Sequence, residues 1–269
     1  MRVAYGSRGL VGLLTPQANT TVEPEFSVLL PPGMAFINAR MVSGGASIAA
    51  RLVDYFDRLD DWAEQFANAP IEALAIACTG ASYLVGAARE RELVERLSAR
   101  IGVPVVTSGQ AVGAAFGALG AKRVALVSPY PRALTEASIG YWQSYGVEIA
   151  RIVEVGAVAD GFHPIYAMAA QDAQTALAAL ESESALDAVV MLGTGMPTLE
   201  PILLAPRVAG APVLSCMLAT AWRSVLALEG LLPDRTNLLA WIQQPEWANR
   251  LRDRLGKQSR LHPTAWQVT

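Results

Sequence analysis

The sequence predicts an α/β protein with two pseudo-symmetric lobes, each a parallel sheet flanked by helices, and a site in the cleft between them. Short apolar runs alternate with amphipathic segments along the 269 residues, which is typical of βαβ units. The pattern then recurs in the second half, where Pro129 lies 113 residues after Pro16 and Gly193 lies 115 residues after Cys78. Features that recur at a nearly constant spacing indicate an internal duplication.

Apolar runs in the first half predict four strands, over residues 8–16, 34–41, 71–78 and 103–108. Helices are predicted between and after them, over residues 47–69, 89–102 and 109–120. Residues 47–69 carry the clearest signal, because their apolar side chains recur at helical spacing, at Leu52, Tyr55, Phe56, Leu59 and Trp62.

The second half repeats this order. Strands are predicted over residues 122–130, 147–155 and 186–197, a helix over residues 172–185, and a strand followed by a helix over residues 211–228. We therefore predict a first lobe over residues 1–118 and a second lobe over residues 119–218. The C-terminal helices, residues 219–269, are expected to pack back on the first lobe. In open parallel sheets ligands bind beyond the carboxyl ends of the strands, so the loops at those ends would face a shared cleft.

The composition favours a packed globular protein, with 52% hydrophobic and 17% charged residues. A net charge of −3 gives no support for binding nucleic acid or an anionic membrane. No signal peptide and no membrane-spanning run is evident, and two cysteines fit a reducing compartment, so we expect a soluble cytoplasmic protein. No metal site or cofactor is expected. We expect a homo-oligomer, with anchoring and subunit packing by the late tryptophans Trp222, Trp241, Trp247 and Trp266.

Cys78 is the first candidate for chemistry. It ends the apolar run in AIACTG (75–80), whose counterpart VMLGTG (190–195) has Gly193 in place of the cysteine. A cysteine before a helix start meets unpaired backbone N–H groups, which lower a thiol pKa and favour a nucleophilic thiolate. A free cysteine is also often a packed, inert core residue, and position alone leaves both interpretations open.

Polar residues at the other strand ends are candidates for binding a carboxylate. They fall in three segments and are Pro16, Gln17 and Asn19; Thr79 and Gly80; and Ser128, Pro129 and Tyr130. The turn Gly193-Thr194-Gly195 resembles an anion-binding turn, in which glycines allow the backbone to approach a ligand. Each segment could instead be an ordinary helix cap or turn. Tyr130 has a phenol that can donate a hydrogen bond or a proton.

Three further residues are weaker candidates. Cys216 lies at a strand-to-helix junction other than that of Cys78, which favours a structural role. His163 is a lone loop histidine that stays open as an alternative proton donor, and His262 lies in a C-terminal tail.

Four motifs stand at or near the strand ends: PQANTTVE (16–23), ACT (77–79), PVVTSGQA (104–111) and VALVSPY (124–130). Taken together, they resemble the aspartate/glutamate racemase superfamily, and within it the branch of maleate cis–trans isomerases and arylmalonate decarboxylases. The resemblance covers roughly residues 8–230. It implies two pseudo-symmetric α/β lobes and a cofactor-free site at their interface. It also implies that Cys78 adds to a double bond and that Asn19 and Tyr130 help to hold carboxylates.

The chain departs from this pattern at Gly193, where the resemblance implies a second cysteine. Addition to a double bond requires one nucleophile, so we expect an isomerase of a small unsaturated, maleate-like dicarboxylate. One alternative is a one-cysteine racemase or decarboxylase of a substituted malonate or amino acid, and another is a binding protein for small acids with reduced activity. Under each hypothesis the partner is a small mono- or dicarboxylate.

Overall fold

The computed structural model describes residues 3–156, 164–243 and 245–256. The first half contains a four-stranded, wholly parallel sheet with the strand order β2-β1-β3-β4. Its strands are β1 (Gly9–Pro16), β2 (Met34–Met41), β3 (Ala73–Ile76) and β4 (Val105–Thr107). All eight residues of β1 are buried, as expected for a central strand that is covered on both faces.

Six helices belong to this half: α1 (Val22–Leu29), α2 (Ile48–Asp57), α3 (Leu59–Glu64), α4 (Thr79–Val85), α5 (Ala87–Ile101) and α6 (Ser108–Leu119). The single helix predicted over 47–69 is wrong, because the chain breaks at Arg58 into α2 and α3. Arg58 has φ −111° and ψ 26°, outside the helical range, and this bend turns Trp62 onto the core.

The second half contains a five-stranded sheet with the order β6-β5-β7-β9-β8, parallel except for the pair β8–β9. Its strands are β5 (Arg123–Ser128), β6 (Glu148–Glu154), β7 (Ala188–Met191), β8 (Arg207–Val208) and β9 (Ala211–Ser215). The order β6-β5-β7-β9 repeats β2-β1-β3-β4, so the two halves share one topology. The predicted α/β fold with two parallel sheets is confirmed.

The second half has helices α7 (Arg132–Gln143), α8 (Ala170–Ala178) and α9 (Leu199–Leu204), and a short 3-10 helix over Pro164–Ala167. The helix predicted over 172–185 is thus shifted, and it ends by Ala178. The chain then closes with α10 (Cys216–Glu229), α11 (Arg235–Ile242) and α12 (Pro245–Leu255).

The C-terminal helices contact the first half of the chain. Helix α10 runs through the predicted boundary at 218/219 and packs on α6, α1 and β3, while α12 packs on α1 and α9. The Arg250 guanidinium donates hydrogen bonds to the carbonyls of Val28 (2.7 Å) and Leu29 (3.3 Å), at the C-terminal end of α1.

Among the described residues, no helix is both long enough and apolar enough to cross a bilayer. His163, His262 and Trp266, which the sequence singled out, lie outside the described residues.

Candidate active site

A pocket lies between the lobes at the carboxyl ends of four strands. Its walls begin directly after β1, β3, β5 and β7, which are the central strands of the two sheets. Nine of the predicted site residues line it: Pro16, Asn19, Cys78, Thr79, Gly80, Pro129, Tyr130, Thr194 and Gly195. The duplicated topology therefore brings the matched loops of both lobes to one cavity.

Cys78 is the residue immediately before α4 and is 3% exposed. Burial raises the pKa of its thiol to about 12, while the backbone N–H of Ala81 acts in the opposite direction. The expectation of a lowered thiol pKa is thus wrong. The apolar surroundings penalise the thiolate more strongly than the helix start stabilises it.

Asn19 serves both as a helix cap and as a cross-lobe contact. Its side-chain oxygen accepts hydrogen bonds from the backbone N–H groups of Thr21 (2.9 Å) and Val22 (3.0 Å), at the start of α1. Its amide nitrogen donates to the Thr194 hydroxyl (3.4 Å), which in turn donates to the Ala77 carbonyl (2.9 Å). The loop after β1 is thereby connected to the turn after β7 and to the end of β3.

Two more first-lobe side chains hold the turn after β7. The Thr21 hydroxyl donates to the Gly195 carbonyl at 2.6 Å. The buried Glu25 carboxylate accepts from the backbone N–H groups of Thr198 (2.6 Å) and Leu199 (3.2 Å). Burial raises the pKa of Glu25 to about 7 against the effect of these donors. Buried hydrogen bonds from the first half of the chain therefore fix the turn that carries Thr194 and Gly195.

Tyr130 enters the pocket from the second lobe. Burial raises its pKa well above the usual tyrosine value, with further contributions from the nearby Cys216 and Cys78, so its phenol stays protonated. Its hydroxyl lies 3.1 Å from the position that a Cβ atom on Gly193 would occupy. The phenol therefore lies beside the position where the resemblance implies a second thiol.

Gly193 has φ +83°, a conformation that favours glycine. A Cβ atom there would also lie 3.0 Å from Ile165 Cδ1. The backbone conformation is strained for a cysteine, and the neighbouring side chains would have to move by a few tenths of an ångström to admit one.

Three predicted site residues do not line the pocket, and the structure shows other contacts for each. The Gln17 side-chain oxygen accepts from the Ser43 N–H (2.6 Å), and the Ser128 hydroxyl bonds to the Thr135 hydroxyl (2.7 Å). Gly193 shapes the turn as described above. Their predicted contact with substrate stays a prediction.

Cys216 is fully buried at the start of α10 and does not line the pocket. Burial raises the pKa of its thiol to about 11, while the nearby Thr79 hydroxyl and Gly193 backbone act in the opposite direction. Both cysteines are free thiols.

The Thr79 hydroxyl is buried without a hydrogen-bond partner of acceptable geometry, although Cys216 and Tyr130 lie close to it. Thr79 is 1% exposed and lines the pocket beside Cys78. A buried polar group without a partner is costly, and a bound acceptor such as a carboxylate would satisfy it.

Sequence reasoning missed six lining residues: Ile48, Leu52, Pro131, Leu134, Ile165 and Tyr166. Leu52 carried a signal as part of the apolar face of α2, but that signal did not separate core from pocket. Ile165 and Tyr166 lie in a short 3-10 helix with no periodic pattern, so nothing local indicated that they reach the pocket.

Comparison with known proteins points to the same family as the sequence motifs. The maleate isomerase of Pseudomonas putida is 25% identical over 248 residues, covering 86% of this chain and 96% of the relative. A Nocardia farcinica maleate cis–trans isomerase structure, of a cysteine-to-serine variant with a covalently bound succinylcysteine intermediate, is 29% identical with a TM-score of 0.72. That likeness covers 83% of this chain and 93% of the Nocardia chain.

A structure of the maleate isomerase from Pseudomonas putida S16, in a cysteine-to-alanine variant with maleate, is 28% identical with a TM-score of 0.72. It covers 82% of this chain and 92% of that chain. The family model described as arylmalonate decarboxylase matches residues 11–235, which include both sheets apart from the first two residues of β1, and every lining residue of the pocket. The resemblance inferred from the motifs is thus confirmed, and the chain belongs to the arylmalonate decarboxylase family.

Proposed function

We propose that this protein is a cofactor-independent isomerase of a small unsaturated dicarboxylate such as maleate, with Cys78 as the nucleophile. The observation that carries the proposal is that Cys78 is the one thiol lining the described pocket, beside the unpartnered Thr79 hydroxyl. The relatives support the choice of reaction, since they include maleate isomerases and one structure with a succinylcysteine intermediate.

The reaction proceeds by addition of the thiol across the double bond. The Cys78 sulfur forms a bond to one alkene carbon, the π bond breaks, and the other alkene carbon takes up a proton. The resulting carbon–carbon single bond rotates, and elimination then breaks the C–S bond and returns the proton. The product is the trans isomer, and no atom is gained or lost.

The raised pKa of Cys78 fits this scheme, because the thiol keeps its proton until substrate enters. The Tyr130 phenol is also protonated and lines the same pocket. Tyr130 can give a proton to the alkene carbon that sulfur does not attack and recover one from Cys78. Both groups then return to their starting states at elimination.

Charge builds up on a substrate carboxylate during the addition, and the Thr79 hydroxyl is placed to stabilise it. Loss of one such preorganised donor typically costs on the order of a hundredfold in rate. Thr79→Val removes this hydroxyl at nearly constant shape. Because the hydroxyl has no partner in the free protein, we expect unchanged or higher stability together with a rate lower by about a hundredfold.

Decarboxylation of a substituted malonate is the second candidate. The family description favours it, and so does the apolar side of the pocket, formed by Ile48, Leu52 and Leu134, which suits an alkyl or aryl substituent. If the protein released CO₂ from phenylmalonate and did not convert maleate, decarboxylation would replace isomerisation as the proposed function.

The decisive experiment follows conversion of maleate to fumarate by NMR and detects the cysteine adduct by mass spectrometry of the intact protein. The wild type should convert maleate and carry one adduct, and Cys78→Ala should do neither. Cys216→Ser is the matched control, because it changes the other buried thiol and should keep both properties. Conversion of maleate by Cys78→Ala would disprove the role of the thiol. Binding of maleate without adduct or turnover would indicate the binding protein instead.

A further inference from the structure

Tyr166 lines the same pocket as Cys78, although neither the motifs nor the family resemblance points to it. It is half-buried in the 3-10 helix Pro164–Ala167, which belongs to the second half of the chain. Its side chain therefore faces the nucleophile of the first lobe from across the cleft.

The position of Tyr166 is set by contacts with both lobes. Its backbone carbonyl accepts a hydrogen bond from the Thr20 hydroxyl of the first lobe, at 3.2 Å. Its ring lies on Gly195, where an added Cβ atom would come within 2.7 Å of the ring. The second glycine of the Gly-Thr-Gly turn is thus required by the tyrosine ring above it.

The chemistry of the pocket leaves a need that Tyr166 can meet. None of the described residues that line it is charged, so the donors that they offer to two carboxylates are neutral. Two candidate donors already bond within the protein, since Asn19 donates to Thr194 and Thr194 donates to Ala77. Thr79 follows Cys78 in the chain and lies close to Tyr130, so these two can serve one carboxylate. The second carboxylate of a dicarboxylate needs a donor of its own.

We propose that Tyr166 contacts the substrate and that its phenol donates a hydrogen bond to the second carboxylate, the one that Thr79 and Tyr130 do not hold. This inference rests on the proposed function, and it identifies the substrate as a dicarboxylate. Burial, with Cys78 and Tyr55 nearby, raises the pKa of the phenol and keeps it protonated. The positive charges of Arg40 and Arg51 also reach it and favour an anion beside it. Tyr166 has further contacts within the protein, which a carboxylate would share or displace.

The test measures binding without turnover. Succinate, a saturated dicarboxylate, should protect Cys78 against alkylation by iodoacetamide, and Tyr166→Phe should need roughly tenfold more succinate, because a hydrogen bond to a charged group is lost. Protection by butyrate, which has one carboxylate, should be equal in the two proteins. Tyr145→Phe is the matched control, since Tyr145 is half-buried away from the pocket, and it should behave as the wild type.

Equal succinate protection in Tyr166→Phe and wild type would overturn the inference, as would a wild type that succinate does not protect at all. Without succinate, Tyr166→Phe should be alkylated at the same rate as the wild type. That result shows that the variant is folded and that Cys78 is unchanged. If succinate behaves as expected but the wild type does not convert maleate, the proposed isomerase activity fails while the dicarboxylate contact of Tyr166 stands.

Discussion

Substitution of Gly193 by alanine should destabilise the protein because two separate costs meet at this residue. The backbone has φ +83°, which costs an L-residue with a Cβ atom about 1–2 kcal/mol. The new Cβ atom would also lie 3.0 Å from Ile165 Cδ1 and 3.1 Å from the Tyr130 hydroxyl. Overpacking of this kind typically costs about 1–3 kcal/mol, so we expect a total loss of about 2–5 kcal/mol.

Substitution of two other glycines allows the backbone cost and the packing cost to be measured separately. Gly210 has φ +78° and no atom within 4 Å of an added Cβ, so Gly210→Ala should show the backbone cost alone, about 1–2 kcal/mol. Gly140 lies exposed in α7 with nothing within 4 Å, and Gly140→Ala should be neutral or stabilising by up to about 1 kcal/mol. Ile165→Val removes the nearest atom, so it should recover part of the loss when combined with Gly193→Ala.

Urea unfolding followed by tryptophan fluorescence measures the free energy of unfolding of each variant. The reasoning is refuted if Gly193→Ala is no less stable than Gly210→Ala, or if Ile165→Val does not couple to it. The same costs apply to Gly193→Cys. We therefore expect that a second thiol cannot be restored at this position by a single substitution.

Three further predictions concern the contacts that join the lobes and the C-terminal helices. Gly109→Ala would place a Cβ atom 2.2 Å from the Tyr141 hydroxyl, so it should lower the free energy of unfolding by about 3 kcal/mol. Adding Tyr141→Phe removes that hydroxyl, and a double-mutant cycle should show that part of the lost stability is recovered. The Glu25 pKa is raised to about 7, so its contribution to stability is complete below the unfolded value of 4.5 and is lost as the pH rises through 7. By linkage the free energy of unfolding should fall by roughly 3 kcal/mol over this range, as measured by urea unfolding from pH 4.5 to 8. An equal fall with pH in Glu25→Gln would contradict the assignment. Arg250→Ala should cost about 1–2 kcal/mol in thermal unfolding, because the Val28 carbonyl loses its donor at the end of α1. Arg252→Ala is the control and should change little, because the exposed hydrogen bond of its guanidinium is to Asn249 within α12.

Much of the fold follows from local patterns. The apolar runs identify the central strands, because buried parallel strands need continuous hydrophobic sequence. The partly buried edge strand β2 also has the predicted bounds. The duplication was visible because matched strand ends keep their spacing, and it placed Cys78, Tyr130 and the Thr194 turn on one cavity. The break at Arg58 was not visible, since the apolar spacing continues across it.

The sequence by itself determined the two-lobed α/β architecture, the family and most of the residues that line the pocket, because these depend on periodicity and on motifs within short segments. Only the tertiary structure decided that the Cys78 thiol has a raised pKa, that a side chain on Gly193 would crowd Ile165 and Tyr130, and that Tyr166 reaches the pocket. Each of these depends on which distant residues surround an atom. Burial and close contact arise only when the two lobes pack together, and no local pattern encodes them.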